Sequence, residues 1–289
     1  MAERLDLTGK IAIVTGANTG IGLEVARGLA MHRAHVILAC RNVEKGKAAL
    51  EELRGDTCND RIDLEIVDTS LTKSIRDFAA RVREKYPKLD VLVNNAGIWA
   101  ERREVTAEGI ERCFATNVLG YFTTTNELLP MLLATPHARV VNVASKMAKG
   151  LDLDDLEFER RPYSGVDAYA ASKQANRMLT WALDRRLDGK KVYANAVHPG
   201  MVASEITRAD PTTGLLRRVS GPFFRIFGKS TRDGADTALF VASSGDCEMS
   251  HGNFYEKRKI IPCKFRNEER EERLFAACEA MVARASASG

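Results

Sequence analysis

The chain has 289 residues, with 43 Lys and Arg against 39 Asp and Glu, and is 45% hydrophobic and 28% charged. That length is ample for a buried core, and the composition excludes a disordered or collagen-like chain. A net charge of +4 is too slight to grip a nucleic acid, which removes nucleic acid as the main partner.

The six cysteines (Cys40, Cys58, Cys113, Cys247, Cys263, Cys278) form no C-x-x-C pair and have no histidine at metal-ligand spacing. They read as reduced thiols in a cytoplasmic protein without a bound metal. The opening MAERLDLTGK lacks the apolar core of a secretory peptide. No stretch approaches the roughly 20 apolar residues that span a bilayer, so any membrane contact is expected to be peripheral.

A β-rich run at 11–14 ends at Thr15-Gly16, and helical spacing of apolar residues follows over 21–31. The spacing then predicts a buried strand at 35–39, an amphipathic helix at 43–53 and a third strand at 64–67 closed by Asp68. Beyond it come a helix at 75–84, a strand running into a turn at 91–97, a long helical region at 109–133 and a strand at 140–145. After an irregular acidic segment, 169–187 is predicted helical and 192–197 a strand closed by His198-Pro199-Gly200. Residues 201–230 break the rhythm, and the charged tail from about Asn267 carries a helix (LFAACEAMV) expected to pack on the domain's edge. Strands that are apolar along their whole length, alternating with helices, predict an α/β, doubly wound (Rossmann) parallel sheet with helices on both faces.

Thr15-Gly16-Ala17-Asn18-Thr19-Gly20-Ile21-Gly22 lies between the first strand and the first helix, where backbone N–H groups and a helix N-terminus can meet a pyrophosphate. Its G-x-x-x-G-x-G spacing differs from the commonest dinucleotide fingerprint. After the second strand, where an NAD-binding fold places an acidic residue, stands Ala39-Cys40-Arg41-Asn42. Arg41 can pair with a 2′-phosphate through its planar fork, which favours NADP(H) over NAD(H).

Joined to Asn94-Asn95-Ala96-Gly97, Asn117, Ser145 and Tyr169-Ala170-Ala171-Ser172-Lys173, these pieces resemble the short-chain dehydrogenase/reductase family, in the expected order from about Lys10 to Gly200. LACRN, the long gap from Ser145 to Tyr169, and SKQAN after the tyrosine resemble the retinol-dehydrogenase-like branch. The resemblance implies one domain over 1–289, with a cofactor half at about 10–145, a catalytic and substrate half at about 145–260 and a charged tail. It also implies that Asp68 and Thr69 lie near the adenine, Asn95, Ala96 and Gly97 along the adenosine ribose, and Pro199, Gly200 and Val202 near the nicotinamide.

Hydride transfer to a carbonyl leaves charge on oxygen, which needs a donor and a proton. Tyr169 would supply that proton. Lys173, on the same helical face, would favour its phenolate and, by the resemblance, bond the nicotinamide ribose. Ser145 would donate to the substrate oxygen, and Asn117 would help hold a water behind the lysine. His198, in its H-P-G turn, reads as structural.

The expected function is an NADP(H)-dependent oxidoreductase acting on a lipophilic aldehyde, ketone or alcohol, retinoid-like or otherwise apolar. Two alternatives stand beside it: an NAD-dependent steroid or alcohol dehydrogenase, and a non-catalytic nucleotide-binding sensor or scaffold. The segment 201–230, with Phe223, Phe224, Ile226 and Phe227 among Arg217, Arg218 and Arg225, reads as a lid insertion over such a substrate, a membrane contact or a subunit interface. Related enzymes pair through the two long helices that here hold Asn117 and Tyr169, which implies a homodimer.

Overall fold

Every residue of β1 (Ile11–Thr15) is buried, and its side chains divide between two apolar clusters: Ala12 and Val14 enter one, Ile11 and Ile13 the other. A strand buried on both faces belongs inside a parallel sheet covered by helices. The computed structural model, which describes residues 5–200 and 230–287, has that architecture.

After β1 come α1 (Gly20–Met31), β2 (His35–Cys40), α2 (Val43–Thr57), β3 (Ile62–Ile66), α3 (Thr72–Lys85) and β4 (Val91–Asn94). A short α4 (Arg112–Phe114) leads through a π-helical turn (Ala115–Leu119) into α5 (Gly120–Leu133). The chain continues through β5 (Ala138–Val143), α6 (Gly165–Arg186), β6 (Val192–His198), α7 (Thr231–Ser243), β7 (Phe254–Glu256), β8 (Lys259–Ile260) and α8 (Glu268–Ala287). The strands form one sheet in the order β3-β2-β1-β4-β5-β6-β7-β8. All neighbours pair in parallel except β8, which runs antiparallel to β7.

On one face α1 (Val25, Leu29), α2 (Ala49, Leu53) and α7 (Ala238, Val241) form a single cluster with β1 and β2. On the other face the sheet packs against α3 (Ile75, Phe78, Val82), α5 (Leu128, Leu132) and the end of α6 (Leu183). The chain winds outward through β2 and β3, then returns to place β4 on the opposite side of β1. Strand order reverses there, and the tips of β1 and β4 part to leave the crevice where such sheets take ligands.

The helix expected over 109–133 starts at Arg112, because Glu111 is buried and its carboxylate accepts the Cys113 and Phe114 N–H groups as a cap; it is then interrupted by the π turn. Helix α6 begins four residues before Tyr169, capped by the Ser164 hydroxyl, which accepts from Asp167 N–H. The strand placed at 140–145 ends at Val143 and the one at 64–67 ends at Ile66, so Ser145 and Asp68 stand in the loops beyond their strands. Three elements were not anticipated: α7, β7 and β8. Apart from Ser230, the 201–230 segment lies outside the described residues, as does Val202. Among the described residues, no helix is long and apolar enough to cross a membrane.

Helix α8 does pack on an edge, and firmly. Leu274, Phe275, Cys278 and Met281 form a third cluster with Phe122 of α5 and with Met178 and Trp181 of α6. It thereby covers part of the outer face of the two long helices that the resemblance names for pairing. Phe275 meets Phe122 edge to face at 4.8 Å and lies 3.5 Å under the Arg186 guanidinium. Phe275→Ala is expected to lower stability by about 3–5 kcal/mol through the lost burial and the cavity left behind. Urea unfolding measures it, and a loss below about 1 kcal/mol would mean that α8 is not part of the cooperative core.

Candidate functional site

The first component is the glycine turn between β1 and α1. Gly16 and Gly20 have φ of +65° and +61°, a region that glycine enters without penalty. A side chain on Gly22 would lie 2.5 Å from the Gly16 carbonyl oxygen, so only glycine lets the helix start close under the turn. Thr19 caps α1 without a side-chain bond, and no acidic residue stands in the first turn, so the first-turn N–H groups face outward with the positive end of the helix dipole. Asn18 and Thr19 sit half-buried on this turn, while Ile21 anchors it in the core. The buried Cys40 sulfur accepts the Ala17 and Asn18 N–H groups, and burial pushes its thiol up to about 12. Cys40 is also part of the apolar cluster on the α1 face of the sheet.

Asn95-Ala96-Gly97 follows β4 across the crevice. Asn95 N–H and Ala96 N–H both donate to the Thr15 hydroxyl, at 2.9 and 3.0 Å, and Asn95 Nδ2 donates to the Thr15 carbonyl at 2.9 Å. The Asn95 side chain is therefore a brace for the glycine turn. Gly97 crosses the site so closely that a Cβ there would lie 3.3 Å from Asn117 Oδ1 and 3.7 Å from Lys173 Nζ.

Arg41 leaves the end of β2 for solvent. Its guanidinium stands 3.9 Å from Asp68 Oδ2, beside Asn42, which caps α2 by accepting from Lys45 N–H at 2.8 Å. Asp68 Oδ1 accepts the Ser70 N–H and hydroxyl, which fixes the loop after β3. Thr69, buried, lays its carbonyl against Gly120, where a Cβ would lie 2.5 Å away.

The remaining residues converge beyond β5. Asn117 is fully buried in the π turn and grips the loop after Gly97 with both ends of its amide, accepting from Ile98 N–H at 2.8 Å and donating to Ile98 O at 3.0 Å. It also donates to Ser172 Oγ at 3.0 Å, and Ser172 bonds the Tyr169 carbonyl at 2.7 Å. A π turn inserts one residue into a helix, and here it swings Asn117 inward.

Tyr169 and Lys173 share a face of α6. The Lys173 ammonium is buried, donates to the Val143 carbonyl at 2.8 Å and to the Tyr121 hydroxyl at 3.5 Å, and stands 5.7 Å from the centre of the Tyr169 ring. Ser145 lies close enough to Tyr169 to favour its ionised form. Ser145 Oγ accepts from Met147 N–H at 3.1 Å, which leaves its own proton free to donate. Burial pushes Tyr169 up to about 12, against the pull toward the phenolate expected from Lys173 and outweighing the influence of Ser145. Burial likewise brings Lys173 down to about 8. Loss of water disfavours the charged form of each group, in opposite directions.

Trp99, which the sequence reading passed over, stacks on Tyr169 with ring centres 5.2 Å apart. Val166, exposed, stands three residues before Tyr169, and Met147, exposed, two residues after Ser145. His198 is structural: its Nδ1 accepts from Lys146 N–H at 3.3 Å, directly after Ser145. Pro199 and Gly200, the latter at φ +88°, end the described chain on this side of the sheet.

A family model described as short chain dehydrogenase matches residues 10–213. Retinol dehydrogenase 12 of Mus musculus is 42% identical over 280 residues, covering 95% of this chain and 87% of the relative. Retinol dehydrogenase 13 of Homo sapiens is 36% identical over 286 residues, covering 97% and 86%. Among solved structures, a protein from Mycobacterium Paratuberculosis superposes with TM-score 0.75 at 30% identity, covering 96% of this chain and 95% of its own. A short chain dehydrogenase from Burkholderia cenocepacia J2315, solved in complex with NADP, gives 0.68 at 26% identity, covering 86% and 96%. Matched in sequence along most of its length and in fold throughout the sheet, the chain belongs to the short-chain dehydrogenase/reductase family of oxidoreductases.

Proposed function

We propose that this protein is an NADP(H)-dependent reductase of apolar aldehydes and ketones, with Tyr169 as general acid. The observation that carries the reading is the placement of Tyr169 and Lys173 on one face of α6, with the buried Lys173 ammonium 5.7 Å from the centre of the tyrosine ring and Ser145 beside Tyr169 beyond β5.

The glycine turn fits a dinucleotide. Its close helix start, open first-turn N–H groups and the space around Gly20, where a Cβ would meet nothing within 4 Å, suit a pyrophosphate. Gly16, Asn18, Thr19, Gly20, Ile21 and Gly22 would hold that group, and Asp68, Thr69, Asn95, Ala96 and Gly97 would border the adenosine. Arg41, exposed and only loosely opposed by Asp68, would take a 2′-phosphate, as the NADP-bound relative also suggests. Lys173, Pro199, Gly200 and Val202 would border the nicotinamide riboside. A reduced nicotinamide bound there supplies a hydride.

The chain's own residues do the rest. Ser145 donates its free proton to the carbonyl oxygen and orients it. Tyr169, held neutral by burial, gives its hydroxyl proton to the alkoxide as charge develops. Lys173 stabilises the tyrosinate left behind, and Asn117 fixes the loop through which that lysine is approached. The Trp99 ring stacked on Tyr169 offers an apolar surface beside the reacting group, and the curated relatives carry the name retinol dehydrogenase.

Tyr169→Phe is expected to reduce carbonyl-dependent NADPH oxidation by about 10²–10⁴-fold while leaving NADPH affinity within a factor of about two. Equal turnover in the two proteins would rule out the assigned acid. Calorimetric titration of Arg41→Ala should show NADPH binding weakened by about 10- to 100-fold with NADH little changed, since charged hydrogen bonds contribute about 1.5–3 kcal/mol. Equal losses for both nucleotides would remove the 2′-phosphate assignment. For pH, Lys173 is cationic below about 8 and neutral above. The value of kcat/KM for the nucleotide, which reports the free protein, should hold through neutral pH and fall with an apparent pKa near 8. Lys173→Arg should move that limb to higher pH, and a wild-type profile flat to about pH 9.5 would contradict it.

A further inference from the structure

Arg177 lies one turn beyond Lys173 on α6, so that Tyr169, Lys173 and Arg177 form a row on one helix face. Its side chain is buried: the guanidinium stacks 3.7 Å from the centre of the Phe254 ring and 5.5 Å from that of Phe265. One arm of the fork donates to the Ser145 carbonyl, and the other reaches Cys263 Sγ at 3.4 Å. Among the described residues no carboxylate pairs with it, and Nε has no partner. A buried cation without a carboxylate is a poor stabiliser of a fold. What this one does is geometric.

Lys173 holds the carbonyl of Val143, and Arg177 holds that of Ser145, two residues on. Between them Ala144 N–H donates to Val197 O at 2.9 Å. Next, Lys146 N–H donates to His198 Nδ1, and the Lys146 ammonium pairs with Glu256 at 2.6 Å. The exit of β5 is thus gripped from one side by two cations of α6 and from the other by β6 and β7. Since α6 also carries Tyr169, one rigid element sets the relative position of the Ser145 and Tyr169 hydroxyls.

We propose that Arg177 is a positioning residue, which holds the Ser145 backbone against α6 so that the Ser145 hydroxyl meets Tyr169 and the carbonyl oxygen. The catalytic part rests on the function proposed above; the backbone part does not. Arg177 stands apart from the nucleotide turn between β1 and α1, so its loss should leave nucleotide affinity intact.

The test pairs kinetics with amide hydrogen exchange on the full chain, using Arg177→Met, which keeps the stem's bulk without the fork, and Arg177→Lys, which keeps the charge but cannot reach Ser145 and Cys263 together. In Arg177→Met, kcat should fall by about 10- to 100-fold, as small misplacements of catalytic groups do, with the NADPH Kd within about twofold of wild type. Amides of 144–148 should exchange at least about tenfold faster, while the β1 and β4 amides keep their protection. Arg177→Lys should fall between the two on both measures. Unchanged exchange at 144–148 in the Met variant overturns the proposal whatever the kinetics. Faster exchange with unchanged kcat overturns its catalytic part. If the Met variant does not fold, wild-type kcat and exchange in the Lys variant overturn it. A wild-type protein without carbonyl-dependent turnover refutes the proposed function alone, because the exchange comparison still decides the backbone role.

Discussion

One hydroxyl joins the two halves of the sheet where they part. At the reversal of strand order the tips of β1 and β4 separate, and the backbone donors just beyond β4 would face a crevice without strand partners. Thr15 Oγ1 accepts two of them, from Asn95 and Ala96, and Asn95 returns its amide to the Thr15 carbonyl. An unpaired buried donor costs about 1–3 kcal/mol, so this fastening fixes the glycine turn relative to β4 more tightly than packing alone. The rest of the site hangs from it. Gly97 is held where it passes over Asn117 and Lys173, and Ile98 is held by the Asn117 amide.

A second set of polar bonds keeps β4 and β5 in register with the helices beside them. Asn94 donates to Thr125 and to Asn142, and Asn142 donates to Thr180, each at 2.9 Å. This chain crosses from α5 through β4 and β5 to α6 inside the core, where directional polar bonds specify one arrangement more strictly than apolar contacts, although Asn94 Oδ1 itself has no partner. Charged groups follow a different rule by location. Where α6 meets α8, Arg185 and Arg186 pair with the buried Glu271 and the half-buried Glu272. Inside, Lys173 meets carbonyl and hydroxyl dipoles and no carboxylate among the described residues. That is the physical reason desolvation dominates the site's titration.

The parts of this arrangement that depend on local chemistry were legible in the sequence. The apolar strands, the glycine turn and the N-N-A-G turn announce themselves through composition and through glycine at special backbone angles. The tyrosine and lysine, four residues apart, report a shared helix face. The parts set by distant contacts were not. Nothing near 115–119 signals a π turn, and the bond that Asn117 makes from it reaches a backbone amide 19 residues earlier. Strands β7 and β8 are too short to show a period; β7 exists by pairing with β6, and β8 by pairing with β7. Helix α7 carried a readable signal, Ser230 three residues before Asp233, which caps it. Trp99 escaped because a side chain's neighbour across a crevice leaves no mark on spacing.

The burial of Lys173 has a thermodynamic consequence for whatever enters the site. Its ammonium stands near half-protonation at about pH 8 because few acceptors compensate for lost water. A ligand whose hydroxyls approach that nitrogen adds acceptors, favours the charged form and draws a proton from solution as it binds. Association near this pH is then a reaction of three components, protein, ligand and hydrogen ion. The heat it releases depends on the ionisation enthalpy of the buffer that gives up the proton.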